Sequence, residues 1–251
     1  MEPVSQANLR RRSYHHGDLP NALTEAATDL ARQGGPEAVV LREAARQVGV
    51  SATAAYRHFV GHGDLIHEVK ERCQAALAEH MRAEVAAGEP VADRRQEAVR
   101  RLRALGRGYI RFAVAEPGLF RTAFCRVESL RENVLNMIDA PGFVMLAETL
   151  DELTELGIIE PERRPYIEMV AWSSAHGLAA LIVDGPLGAF PEGEQEAAIN
   201  RTTSIPPKPY RPMAAVRRSA PGMSAAPARR QLASRESSRF KKSPSSHTGM
   251  Q

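Results

Sequence analysis

A chain of 251 residues, 43% hydrophobic and 5% aromatic, can bury one or two modest cores. No apolar run reaches the roughly 20 residues that cross a bilayer, and the opening MEPVSQANLRRRS lacks the apolar middle of a secretory signal, so a cytoplasmic protein with no membrane partner is expected. The formal charge of +3 is divided unevenly: from Arg201 onward there are eleven Lys and Arg against one acid, Glu236, which leaves 22 of the 33 bases and 29 of the 30 acids before it.

In chain order the sequence reads as helix after helix, with no sustained two-residue alternation. Asp18 is a predicted N-cap, Pro20 falls in the first turn, and Leu19, Leu23, Ala26, Ala27 and Leu30 share one face until Gly34-Gly35-Pro36 ends the segment. Further helices are predicted over about 41–47, 52–59, 64–87, 93–115, 117–125, 128–139, 142–156, 162–184 and 192–200, punctuated by Gly88, Pro90, Pro117, Pro141, Gly157, Pro161, Gly185-Pro186 and Pro191. From Arg201 the composition turns to Pro, Ser, Ala and Arg without hydrophobic period, and this basic tail is expected to be disordered. The two cysteines, Cys73 and Cys125, have neither metal-ligand nor disulfide-framework spacing and read as small hydrophobes.

Between Leu41 and Phe59 the small or apolar positions Leu41, Ala44, Ala45, Val48, Val50, Ala54, Ala55 and Phe59 would bring two short helices together. Ala45 allows close approach, Gly49 stands where the chain must reverse, and Ser51 offers an N-cap oxygen to the next helix. This is a helix-turn-helix pattern whose second helix is short enough to enter a major groove by its N-terminus. Ala52, Thr53 and Ala54 would let that helix approach base edges, Tyr56 and His58 would position on phosphates, and Arg57 could serve either guanine or phosphate. The basic Arg10-Arg11-Arg12 would form an arm along the backbone.

The stretch LREAARQVGVSATAAYRHFVGHGDL, through Ala45, Gly49, Val50, Ser51, Tyr56, His58, Phe59 and Leu65, resembles the TetR family of bacterial transcriptional regulators. YHHGDLPNAL, YIRFAVAEPGLFRTAF and AWSSAHGLAALIVDGPL resemble a subgroup with a Trp-His-Gly signature in its ligand-binding domain, here Trp172, His176 and Gly177. Three features depart from the family pattern: Val40 replaces the capping Ser or Thr before the second helix, His62 replaces a lysine, and the final helix, which the family would continue beyond Asn200, gives way to the Pro and Arg tail.

The resemblance implies an all-α protein. Its parts would be a flexible arm over 1–12, a three-helix DNA-binding domain over 13–62, a helical effector-binding and dimerisation domain over 63–200, and the tail over 201–251. It further implies a homodimer that binds palindromic double-stranded operator DNA, usually as a repressor, and is released by a small-molecule effector. Carried over by position, Ser51, Tyr56 and His58 would meet phosphate, Ala52, Thr53 and Arg57 would face bases, and Arg42 would reach backbone or groove. The effector-pocket candidates are Tyr109, Phe112, Phe124, Phe143, Tyr166 and Trp172, with Leu102, Leu105, Phe120 and Met145 as companions. His176 reads as a hydrogen-bonded core or interface residue. A dimerisation face is expected on the helix carrying Ile167, Val170, Ser174, Leu178 and Leu181.

No cofactor or metal site is expected. There is no phosphate-cradling glycine loop and no nucleophile elbow, and His15-His16-Gly17-Asp18 has no second ligand cluster to pair with. The alternative is a helical effector-binding or adaptor protein with impaired DNA binding, since residues 1–60 hold seven Arg against six acids and the composition changes abruptly at the C-terminal tail.

Overall fold

The computed structural model describes residues 18–126 and 137–204, and all regular structure among them is helical. The predicted arm, the residues before Asp18 and the tail from residue 205 onward lie outside the described residues, as do residues 128–136 of the helix predicted over 128–139.

Helix α1 spans Leu19–Gly34. Asp18 caps it by accepting from the Asn21 N–H at 3.3 Å, and Pro20 occupies a first-turn position whose missing N–H costs nothing. Its stripe of Leu23, Ala26, Ala27, Leu30 and Ala31 is buried, each leucine worth about 1.5–3 kcal/mol of burial. A 3₁₀ turn at Pro36–Ala38 leads to α2, Leu41–Val48, which begins without a side-chain cap because Val40 carries no acceptor. Gly49 follows in the left-handed region at φ 81, and Ser51 caps α3, Ala52–Ala55, by accepting from the Ala54 N–H at 3.2 Å.

Helix α3 is shorter than the sequence suggests. Beyond Ala55 the chain tightens into i to i−3 turns, with the Arg57 N–H donating to the Ala54 carbonyl and the His58 N–H to that of Ala55. The tightening brings Phe59 back into the core while Tyr56, Arg57 and His58 stay outside.

Helix α4, His62–Ala87, runs from this head into the rest of the molecule; near its start the Asp64 carboxylate accepts from the Val60 N–H at 3.0 Å. It packs along α5, Arg94–Ala115, which Asp93 caps. Short α6, Pro117–Ala123, is wedged against α1, α4 and α5. Two side chains of α4 satisfy carbonyls at its C-terminal end: Lys70 Nζ donates to Cys125 O at 3.1 Å and Gln74 Nε2 to Ala123 O at 3.2 Å.

Helix α7, Pro141–Glu155, packs on α4 and α5. The helix predicted over 162–184 divides into a 3₁₀ turn, Pro161–Arg163, and α8, Ile167–Val183, with Tyr166 between them at φ 62. Pro165 is the reason, because it has no N–H to continue a helix and its ring clashes with the preceding turn. Arg164 reinforces the break by reaching Asp151 and Glu168, each at 2.6 Å. Helix α9, Glu192–Thr203, outlasts the predicted end at residue 200 because Thr203 packs against Gly106 of α5. Glu84, Arg111 and Glu196 link α4, α5 and α9 through contacts of 2.7 and 2.5 Å.

Candidate functional site

The head presents the predicted nucleic-acid residues together. Arg42 of α2 and Ser51, Thr53, Tyr56, Arg57 and His58 around α3 are exposed, and Ala52 is half-buried. Ala44, Ala45 and Ala55 face inward, so the two helices of the motif lie against each other and against α1. The Tyr56 ring is 50% exposed, which is costly for an aromatic side chain with no surface to cover. The short capped helix therefore offers small side chains at its leading end and donors at its trailing end.

A second constellation lies where α5, α6 and α8 meet. Trp172 Nε1 donates to the Tyr109 hydroxyl at 3.1 Å, and that hydroxyl is 2.7 Å from His176 Nδ1. The indole N–H can only donate, so the Tyr109 oxygen accepts from it, and the arrangement that leaves no buried proton unpaired has the phenol donating to His176, its one other polar partner here. Nδ1 is therefore the acceptor, and the neutral ring carries its proton on Nε2. Burial lowers the pKa of His176 and raises that of Tyr109, so both stay uncharged near neutral pH. Phe120 and Phe124 wrap this relay, the Phe124 ring 4.9 Å from His176 and 6.1 Å from Trp172.

Of the sequence-derived pocket candidates, Tyr109, Phe124 and Trp172 converge here. Phe112 is buried beside them in the same core and stacks near His80 instead. Phe143 of α7 is half-buried and makes no ring contact with the group among the described residues. Tyr166 does not join it at all. Pro165 throws the chain into the left-handed turn that leaves Tyr166 77% exposed at the start of α8.

The candidate dimerisation residues also separate. Val170, Ser174 and Leu181 lie on the outer face of α8, Val170 being 62% and Leu181 46% exposed. Leu178 is buried in the main core, and Ile167 packs with Leu150 and Leu153 in a smaller cluster.

Beside the aromatic group is a surface depression of about 380 Å³. It is lined by Phe120, Phe124, Cys125, His176 and Ala180, and by Pro36 and Glu37 of the head. Sequence reasoning did not reach those two head residues, which lie over eighty positions from Arg121 and carry no local signal of a site. Among the described residues no group of three or more His, Cys, Asp or Glu could hold a metal ion, and no helix is long and apolar enough to cross a membrane.

Comparison with known proteins finds matches to the head and to the helical domain that follows it. Residues 23–69 match the family model described as bacterial regulatory proteins, tetR family, and residues 102–204 match that of the tetracyclin repressor-like C-terminal domain. No curated protein matches the chain. Among solved structures, a protein of unknown function from Rhodococcus sp. RHA1 is 26% identical with a TM-score of 0.60, covering 77% of this chain and 97% of that one. A TetR family transcription regulator from Marinobacter aquaeolei VT8 is 16% identical with a TM-score of 0.52, covering 73% and 95%.

Proposed function

The chain belongs to the TetR family of transcription regulators, and on that premise we propose that it is a repressor that binds a palindromic operator as a homodimer and is released by a small molecule. Its DNA-binding head would be residues 13–62 and its effector and dimerisation domain residues 63–200. The observation that carries the reading is the head itself: Gly49 in the left-handed turn, Ser51 capping α3, and Thr53, Tyr56, Arg57 and His58 exposed together. In that reading Ser51, Tyr56 and His58 hold phosphates, Arg42 holds backbone or groove, and Ala52, Thr53 and Arg57 read bases.

A homodimer is supported by α8, which carries apolar side chains on its solvent side as well as on its core side. Apolar side chains on the solvent side of a helix are stable where something covers them. Two heads held by such a pair could meet successive major grooves about 34 Å apart, and a ligand that changes their spacing would lower operator affinity.

The test is to measure the solution mass of the full chain by light scattering and its binding to duplex DNA from upstream of its own gene by fluorescence anisotropy. A dimer whose affinity falls steeply with salt is the expected result. A monomer with no preference for that DNA over a scrambled duplex overturns it and returns the chain to the adaptor class.

A further inference from the structure

We infer that the depression between the 3₁₀ turn of the head, α6 and α8 is a binding site for an uncharged planar aromatic molecule carrying a carbonyl-type acceptor, held by the His176 Nε2–H. Its use as an effector site rests on the regulator reading above; its existence as a binding site does not.

Three observations define the chemistry. The floor is aromatic: Phe120, Phe124 and the imidazole of His176 line the depression, with the Phe120 ring 5.3 Å and the Phe124 ring 4.9 Å from His176. The three rings are tilted 37 to 75° to one another and offer both faces and edges to an aromatic guest. Apart from the ionised side chains, the hydrogen-bonding group of the lining is the His176 imidazole. Tyr109 occupies Nδ1 and sets the tautomer, and Nε2 has no hydrogen-bond partner among the described residues. A neutral N–H donor asks for an oxygen acceptor, and burial keeps this ring neutral.

The rim decides the ligand's charge. Glu37, Arg121, Arg126 and Asp184 also line the depression and sum to zero, with Arg121 already paired to Asp184 at 2.6 Å. Nothing in that rim favours a net charge on the guest. The volume of about 380 Å³ lies in the range of small-molecule clefts, about 300–1,000 Å³.

The location is the consequential part. Pro36 and Glu37 belong to the turn that joins α1 to α2, whereas His176 and Ala180 belong to α8. An occupant would therefore touch the head and the outer helix of the other domain at once, without acting through the long α4. Phe120 and Phe124, on and just beyond α6, line the same depression.

Trp172 is the single tryptophan of the chain and its ring lies 5.2 Å from that of His176, so its emission reports on the site without a label. The experiment titrates the full chain with fluorenone, an uncharged planar aromatic ketone, and separately with fluorene, the same ring system without the carbonyl. Saturable quenching by fluorenone at a concentration about tenfold below that needed for fluorene is expected, the ratio of one hydrogen bond to an otherwise unpaired donor. In His176→Phe, which keeps a ring and loses the donor, the two compounds should quench alike. Ala180 is half-buried on the surface of α8, so Ala180→Phe fills the depression without entering the core and should abolish quenching by both. Equal quenching of the unmodified chain by both compounds, quenching that survives Ala180→Phe, or no saturable quenching by either overturns the site. None of these titrations contains DNA, so their failure leaves the regulator reading to its own binding assay.

Discussion

Gly118 of α6 lies directly against the C-terminal turn of α1: a Cβ there would stand 2.5 Å from the Arg32 carbonyl oxygen and closer still to that of Ala31. Backbone meets backbone at this point, and Arg32 adds a 3.2 Å contact to Glu116 across the same junction. The head and the wall of the aromatic site are thus one packed unit, with no side chain between them to absorb a shift.

The two structurally demanding glycines should respond differently to substitution. Gly118→Ala forces the α1–α6 junction apart and should cost at least about 1–3 kcal/mol, read as a lower urea midpoint. Gly49→Ala meets open space and pays only for the left-handed backbone, about 1–2 kcal/mol. Gly49→Asn, which tolerates that conformation, should restore most of it. Equal losses for Gly49→Ala and Gly49→Asn would contradict the turn.

Tyr109→Phe removes the hydroxyl that joins Trp172 to His176 and leaves two polar atoms without their partner. A loss of about 1–3 kcal/mol in denaturant unfolding is expected. An unchanged midpoint would mean that the relay contributes nothing to stability.

The pH dependence follows from His176. Its pKa is lowered from 6.5 by burial, so the unfolded chain binds this proton more readily than the folded one. Its contribution to stability is full above pH 6.5 and is lost as the pH falls through the lowered folded-state pKa. The stability difference between the parent chain and His176→Phe should therefore shrink below pH 6.5, as measured by urea unfolding at a series of pH values. A constant difference would place His176 at its ordinary pKa.

On DNA, two groups of variants should behave differently. Tyr56→Phe and His58→Ala should weaken binding to operator and scrambled duplex alike, whereas Thr53→Ala and Arg57→Ala should change the ratio between them. Anisotropy with both duplexes at fixed salt separates the outcomes, and a uniform loss for Arg57→Ala would move that guanidinium from bases to backbone.

The outer face of α8 can be tested by charge. Val170→Arg or Leu181→Arg places a cation on the exposed apolar side and should lower the solution mass to that of a monomer. A buried unpaired charge at a contact is strongly unfavourable. An unaltered dimer mass would exclude this face from the contact.

Local chemistry was enough to recognise most of the helices and the turn that joins α2 to α3. Asp18, Gly49, Ser51 and Asp93 act on neighbours within a few residues, so their caps and turns are written in short stretches of sequence. The same locality made Val40 legible as an uncapped start. Pro165 carried a local signal too, and its break in the helix predicted over 162–184 accounts for the outward swing of Tyr166. What no short stretch could express is the meeting of Tyr109, Trp172 and His176 with Phe120 and Phe124, or of Pro36 and Glu37 with α8. Those contacts depend on how α6 packs between α1, α4 and α5, where a missing Cβ at residue 118 and the Lys70 and Gln74 bonds set its position. Side chains far apart in the chain become one site only after that packing is complete, because the hydrophobic effect that drives it is non-directional and leaves the final neighbours to shape and volume.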